Sequence, residues 1–211
     1  MPSPPPLPPT DIPAGIEVEG HAVVSSDGMI ADSAGNMPSG LRNDEEWERF
    51  QQSLDRSALI ALGRLAHRRH PNTGRNRLVF TGSVAGMAPD PEDPAAIFFN
   101  PAGASLGAAL RCFGILSGTI AVTGGTGVFG YFLEIFNRFA LGETNSTIIP
   151  GGRPCFAAGH PRTVLAAAGL LPDRIELIDV PANVTLTHWE RPAPPPEDRP
   201  FYAGPPAGEI L

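Results

Sequence analysis

The sequence predicts an α/β fold built on a largely parallel sheet, and three observations carry that prediction. Strand-patterned and helix-patterned segments alternate from residue 16 to about residue 139. Two of the strand segments run straight into glycine, at Gly63-Arg64 and Gly124-Gly125, as strand-to-helix turns in such folds require. Proline is concentrated at the two ends: of the 25 prolines, seven fall in the first 13 residues and seven in the last 20. The 211 residues therefore reduce to one core-sized stretch, expected as a single domain over 14–191. The flanks 1–13 and 192–211 are expected to be extended, polyproline-like and disordered.

In chain order, residues 16–25 (IEVEGHAVVS) read as the first strand, followed by the turn-rich SDGMIADSAGNMPSG. A helix should start near Asn43, because Asn43 and Glu46 have the spacing of a capping box and Trp47, Phe50 and Leu54 form an apolar stripe. SALIAL is a short buried strand ending at Gly63-Arg64, and after a loop containing Pro71-Asn72-Thr73-Gly74 the segment RLVFTG is the next. A Pro/Asp-rich loop over 88–94 leads to a weak strand, AIFF, and then a helix over 103–113. TIAVT is a strand meeting Gly124-Gly125, and VFGYFLEIFNRF has the length and apolar content of a buried helix. RIELIDV and VTLTHWE, separated by Pro181-Ala182-Asn183, predict an antiparallel hairpin at one edge.

Composition excludes several classes of function. No run approaches the roughly eighteen apolar residues of a spanning helix, and the N-terminus lacks a basic and apolar leader, so a soluble cytoplasmic protein with no membrane partner is expected. Fifteen basic residues, all arginine, stand against 22 acidic ones, a balance that opposes nucleic-acid binding. Cys112 and Cys155 show no metal spacing, and the arginines inside His67-Arg-Arg-His70 would repel a cation, so no metal is expected. No GxSxG elbow is present, and nothing beside any of the five histidines selects it as a base.

Three features remain. Arg64, Arg68, Arg69, Arg75 and Arg77 gather positive charge within 14 residues, which suits either a local anion site or a solvated face. Gly125-Thr-Gly127-Val-Phe-Gly130 is a GxGxxG after a strand, but the acidic residue that a dinucleotide fingerprint needs about 20 positions on is missing. Phosphate contact by this loop is expected without a Rossmann domain. Asp44 is either a first-turn helix acid or a carboxylate facing a cleft beside the sheet.

Four blocks in this order resemble the dihydrofolate reductase family. Gly28-Met-Ile-Ala-Asp-Ser-Ala-Gly-Asn-Met-Pro38 is similar to the loop over the nicotinamide, with Asp44 six residues on where the family has its pocket carboxylate. Leu-Ile-Ala-Leu-Gly63-Arg64 resembles the strand end and GR pair of the adenosine-phosphate site. Gly74-Arg75-Asn-Arg-Leu-Val-Phe-Thr81 resembles the GR turn whose arginine reads folate's glutamate. Ile-Ala-Val-Thr-Gly124-Gly125-Thr-Gly-Val-Phe129 is similar to the glycine-pair loop and its helix. The resemblance covers about residues 16–191 and implies a three-layer fold, mostly parallel, with a C-terminal antiparallel hairpin.

What the resemblance implies for function is an NADPH-dependent reductase of a dihydropterin. Asp44 would be the catalytic carboxylate, with His21, Met37, Glu48, Arg75 and Thr144 at the substrate. Ala22, Ile30, Gly63, Arg64, Thr81, Gly124, Gly125, Thr126, Gly127, Val128 and Phe129 would meet the cofactor. Ser39, Ala66, Glu48 and His21 depart from the family pattern and point to a more polar substrate pocket, as a modified pterin such as dihydromethanopterin would need. Ser25-Ser-Asp27-Gly28-Met-Ile-Ala31 also resembles the riboflavin-pathway reductase, whose substrate is a ribosylaminouracil phosphate. A non-catalytic binding protein on the same fold is the third alternative, and the oligomeric state is open, a homodimer included.

Overall fold

A computed structural model describes residue 9, residues 11–70 and residues 72–193. The flanks expected at 1–13 and 192–211 lie outside the described residues except for 9, 11–13, 192 and 193. In chain order the elements are β1 (Gly15–Ser25), β2 (Met29–Ala31), α1 (Asp44–Arg56), β3 (Leu59–Gly63), α2 (Arg64–Arg69), β4 (Arg77–Phe80), β5 (Met87–Pro89) and β6 (Ala96–Phe99). They continue with α3 (Leu106–Cys112), β7 (Ser117–Gly124), α4 (Thr126–Phe132), β8 (Arg138–Thr144), β9 (Arg153–Pro154), α5 (Pro161–Ala167), β10 (Leu171–Asp179) and β11 (Val184–Glu190).

Nine strands form one sheet in the order β10-β11-β8-β1-β7-β3-β4-β6-β5. The six strands from β8 to β6 are mutually parallel. The hairpin β10–β11 closes one edge antiparallel, as expected, and β5 closes the other. Both faces are covered. Leu59, Ala61, Leu78, Ile120 and Val122 pack under α3, α4 and α5, whereas their neighbours Ile60, Leu62, Val79 and Ala121 pack under Leu54 and Phe50 of α1 and Ala66 of α2. Burial on both faces explains why these strands read as continuous apolar runs. Among the described residues no helix is long and apolar enough to cross a membrane.

Two segments depart from the sequence expectation in ways that affect the site. The helix expected over 128–139 stops at Phe132, and after a short 3-10 turn the chain enters β8, a central strand. Phe132, Phe136 and Phe139 are all buried in one ring cluster, so the apolar run has no periodicity break to mark where helix gives way to strand. The helix expected over 103–113 starts only at Leu106, capped by Ser105. Short elements went unforeseen as well: α2, β5 and α5, although Pro161 at the first turn of α5 is a start signal.

The chain also makes contacts ahead of residue 14. Asp11 accepts hydrogen bonds from the Ser105 hydroxyl (2.5 Å) and the Gly107 amide (2.9 Å), joining Ser105 in satisfying the first turn of α3. Asp11, three residues before the expected start, thus packs on α3. Asp11→Ala removes a helix-start acceptor and should cost about 1 kcal/mol, read as a lowered thermal midpoint; an unchanged midpoint would show that the chain before Pro13 contributes nothing to the fold.

Candidate functional site

In a parallel sheet the loops that can hold a ligand collect at the carboxyl ends of the strands. Here β3 and β7 end side by side, with Leu62 paired to Gly124. A Cβ placed on Gly63 would stand 3.7 Å from the Gly124 carbonyl oxygen and 3.8 Å from a Val128 methyl. Gly124 and Gly125 take φ values of 115° and 60°, and Gly125 pairs its φ with a ψ of 156°, a backbone region effectively restricted to glycine. Around Gly125 and Gly127 nothing lies within 4 Å of where a side chain would begin. The turn is thus narrow at its base and open above.

Helix capping singles out the same place. Asn43 accepts from the Glu46 amide at the start of α1, Ser105 from Ala108 at α3, and His160 from Arg162 at α5. The other two α-helices among the described residues, α2 and α4, have Gly63 and Gly125 as their N-caps and no side-chain cap. The first amides of a helix have no intrahelical acceptor, and these two uncapped starts face the one crevice. Thr126 is anchored by a hydrogen bond from its hydroxyl to the Pro154 carbonyl (2.5 Å). Val128 and Phe129 point inward, Phe129 packing on Phe139 and Phe156. Ala22 is buried in the same apolar cluster, and Ile30 packs against it.

Beside the crevice, Arg64, His67 and Arg68 of α2 line a cleft of about 450 Å³ with Arg77, Phe98 and Asp90–Asp93. His67 is bonded to Asp90 (2.8 Å), and the fully buried Arg77 is ion-paired with Asp93. Arg69 donates to the Gly35 carbonyl. Arg64 and Arg68 have no carboxylate partner among the described residues, and the Arg64 guanidinium stands 6.0 Å over the Phe98 ring. Thr81 lies just past β4, its hydroxyl 2.9 Å from that of Ser83.

On the same face of the sheet, α1 flanks a second cleft, of about 510 Å³, whose lining includes His21, Glu46, Phe50, Ser53, Arg138 and His188. Asp44 is exposed in the first turn, and Glu48 is exposed as well. The α1 carboxylate that turns inward is Glu46. Its Cγ packs 3.6 Å from where Gly142 on β8 would carry a Cβ, and its carboxyl has no hydrogen-bond or ion-pair partner among the described residues. Burial pushes its pKa up to about 7. Below it His21 is buried, 3.1 Å from the Ser53 hydroxyl and edge-on to Phe50. Burial holds the His21 imidazole below the ordinary histidine value, with Glu19 opposing the shift.

The remaining expected substrate residues are scattered. Arg75 is tied to Asp55 (2.6 Å), Gln51 (3.0 Å) and Asn72 (3.0 Å). Thr144 is buried at the end of β8, donating to the Val24 carbonyl (3.2 Å) rather than facing the Glu46 carboxyl. Met37 is partly exposed ahead of α1. Asp27 holds the fold together locally, accepting from the Ser25 hydroxyl (2.5 Å) and the Ile149 amide (3.1 Å) and so joining the β1–β2 turn to the chain before β9. Glu46 and Gly142 were missed by sequence reasoning. A helical wheel places Glu46 only 40° from Phe50, but Asp44 lies 120° away.

No family model matches the sequence, and no curated protein matches it. Among solved structures, a Shewanella sp. PV-4 protein assigned to riboflavin biosynthesis superimposes with a TM-score of 0.58 at 16% identity, covering 84% of this chain and 99% of that one. Dihydrofolate reductase from Enterococcus faecalis, complexed with NADP(H) and RAB-propyl, gives 0.58 at 14% identity over 83% of this chain and 96% of the other. A diaminohydroxyphosphoribosylaminopyrimidine deaminase/5-amino-6-(5-phosphoribosylamino)uracil reductase from Thermotoga maritima gives 0.57 at 14% identity, over 83% of this chain and 56% of that one. The chain has the dihydrofolate reductase-like fold.

Glu46 also makes the fold pH-sensitive. Its folded-state pKa of about 7 lies above the ordinary 4.5, so the unfolded chain gives up the proton first. The stability associated with this group is complete below pH 4.5 and is lost as the pH rises toward 7. Denaturant unfolding of wild type and Glu46→Gln across that window should show wild type losing stability with pH and the variant losing less; parallel curves would place the Glu46 carboxyl in water.

Proposed function

We propose that this protein is an NADPH-dependent reductase of a dihydropterin, either dihydrofolate or a modified pterin such as dihydromethanopterin. The observation that carries the reading is the pairing of an unpartnered, inward-turned carboxyl, Glu46, with the uncapped glycine crevice of β3 and β7 at the carboxyl end of one sheet. In this reading the role expected of Asp44 passes to Glu46. The residues present suit a dinucleotide: Gly125 and Gly127 leave open space, and the uncapped starts of α2 and α4 at Gly63 and Gly125 offer helix-start amides to phosphate oxygens. Arg64, with Arg68, supplies unpaired positive charge for the 2′-phosphate. NADPH, when bound, supplies a hydride from its nicotinamide ring.

The protein's own contribution is positioning and a proton. Glu46 holds the amino-pyrimidine edge of the substrate through paired hydrogen bonds, its carboxyl poised near neutrality to hold or release a proton at Oε. Phe50 of α1 forms the apolar side of the site, its ring 5.6 Å from that of Trp47, which reaches toward His70 just past α2 (6.3 Å). A low-dielectric wall of this kind favours the protonated carboxyl and strengthens the bonds it makes.

One observation favours the ribosylaminouracil phosphate as a second substrate: Arg75, the residue expected to read folate's glutamate, is already engaged by Asp55, Gln51 and Asn72. Anaerobic NADPH oxidation with dihydrofolate, dihydromethanopterin and the ribosylaminouracil phosphate in parallel separates the substrates. No oxidation with any of them would remove the reductase reading and leave a binding protein on this fold.

Three substitutions test the assignment of residues. Glu46→Gln should slow hydride transfer by at least about 100-fold with NADPH binding intact, and Asp44→Asn should leave turnover nearly unchanged; the reverse ranking would return the role to Asp44. Arg64→Ala should raise KM for NADPH by about tenfold or more while changing KM for NADH little. Equal effects on the two cofactors would place the 2′-phosphate elsewhere.

A further inference from the structure

The sheet ends at β10, whose outer edge has no partner strand among the described residues. Edge strands in soluble proteins are usually kept short, charged or covered. β10 is nine residues long, and its side chains include Leu171, Ile175 and Leu177, exposed by 58%, 63% and 54%, followed by Val180 at 72%. Four of the nine large exposed hydrophobic side chains among the described residues thus fall on ten consecutive residues. Glu176 reaches Arg49 of α1 (3.0 Å) and His188 (3.0 Å), which fixes Arg174 and Glu176 on the α1 face and Ile175 and Leu177 on the other.

We propose that β10 is the surface on which a second copy of this chain docks, edge to edge and antiparallel, about a two-fold axis at Ile175. Register decides the partner. Irregular pairing at 172–174 and at 177–179 confines the regular strand to Arg174–Leu177, so a two-fold axis must fall on one of four residues. An axis at Arg174 sets arginine against arginine, and an axis at Glu176 sets glutamate against glutamate. Placed at Leu177, it sets Ile175 against Asp179. An axis at Ile175 pairs Ile175 with itself and Arg174 with Glu176 twice over. Within one chain Arg174 and Glu176 are already 3.0 Å apart, so the dimer would gather them into one alternating cluster of four charges. This is an isologous contact, self-complementary in shape and charge. The pairing is short in backbone bonds, and the apolar side chains on the opposite face provide the rest of the adhesion.

Sedimentation equilibrium of the full chain in the micromolar range tests this, with thermal melts to establish that each variant folds. Wild type should have twice the 22.2 kDa chain mass. Ile175→Lys, which sets two ammonium groups together on the axis, should be monomeric with an unchanged melt. Arg174→Glu and Glu176→Arg should each be monomeric, since each makes both charge pairs like-signed. An equimolar mixture of those two should regain the dimer mass, because every contact is again between opposite charges. Should a Glu176 variant fail to fold for want of its bonds to Arg49 and His188, Ile175→Lys and Arg174→Glu still decide. A monomeric wild type, a dimer that survives Ile175→Lys, or folded single charge variants that stay monomeric when mixed would each overturn the proposal.

Discussion

The close approach of β3 to β7 at Gly63 and Gly124 is the contact on which the candidate site depends. Parallel pairing brings the two strand ends level, and α4 starts beside β3, where a Cβ on Gly63 would meet a Val128 methyl at van der Waals distance (3.8 Å). A larger residue at Gly124 would have to adopt a φ of 115° and press on the Phe129 ring, which lies 3.1 Å from the Cβ position. The ring has nowhere to retreat, being packed against Phe139 and Phe156. The crevice is therefore set by the core beneath it, and its shape is as rigid as that core.

Charge around the crevice is organised by what is already neutralised. The basic stretch 64–77 looks like a single positive surface in the sequence, yet most of it is committed within the fold. Arg77 is buried against Asp93, His67 is held by Asp90, Arg75 ties α1 to the turn before β4, and Arg69 reaches across to Gly35. Buried or half-buried pairs of this kind are costly to break, because removing one partner strands the other. Among the described residues Arg64 and Arg68 have no carboxylate partner, and they line the cleft beside the crevice.

Local chemistry was legible where a short pattern has one meaning. The Asn43 cap, the strand entering Gly63 and the hairpin about Pro181-Ala182-Asn183 all appear in the structure where the residues place them. The segment from Phe132 to Phe139 was not legible, because aromatic residues buried on every side remove the periodicity that separates helix from strand. Missing β8 had a consequence for the site, since Gly142, against which Glu46 packs, lies on that strand. The choice of Asp44 over Glu46 is a different failure. Both acids sit in the first turn, where the helix dipole welcomes either; only the phase of the helix relative to Phe50 and Leu54 decides which one turns toward the sheet.

These missed or ambiguous features share a physical character. Glu46 is a half-buried carboxyl with no protein partner among the described residues, α2 and α4 are helix starts with no side-chain acceptor, and Gly125 occupies a backbone region other residues avoid. Each leaves the folded chain less satisfied than it could be: an Asn, Ser or Asp cap is worth about 1 kcal/mol, and an unpaired polar group costs about 1–3 kcal/mol when buried. The rest of the chain shows that suitable partners are within reach of this sequence, since α1, α3 and α5 are all capped by side chains. Unsatisfied groups gathered at the carboxyl end of one sheet are what a ligand with anionic and amino-bearing parts would complete. Their convergence argues for a binding site more strongly than any one of the four sequence blocks does alone.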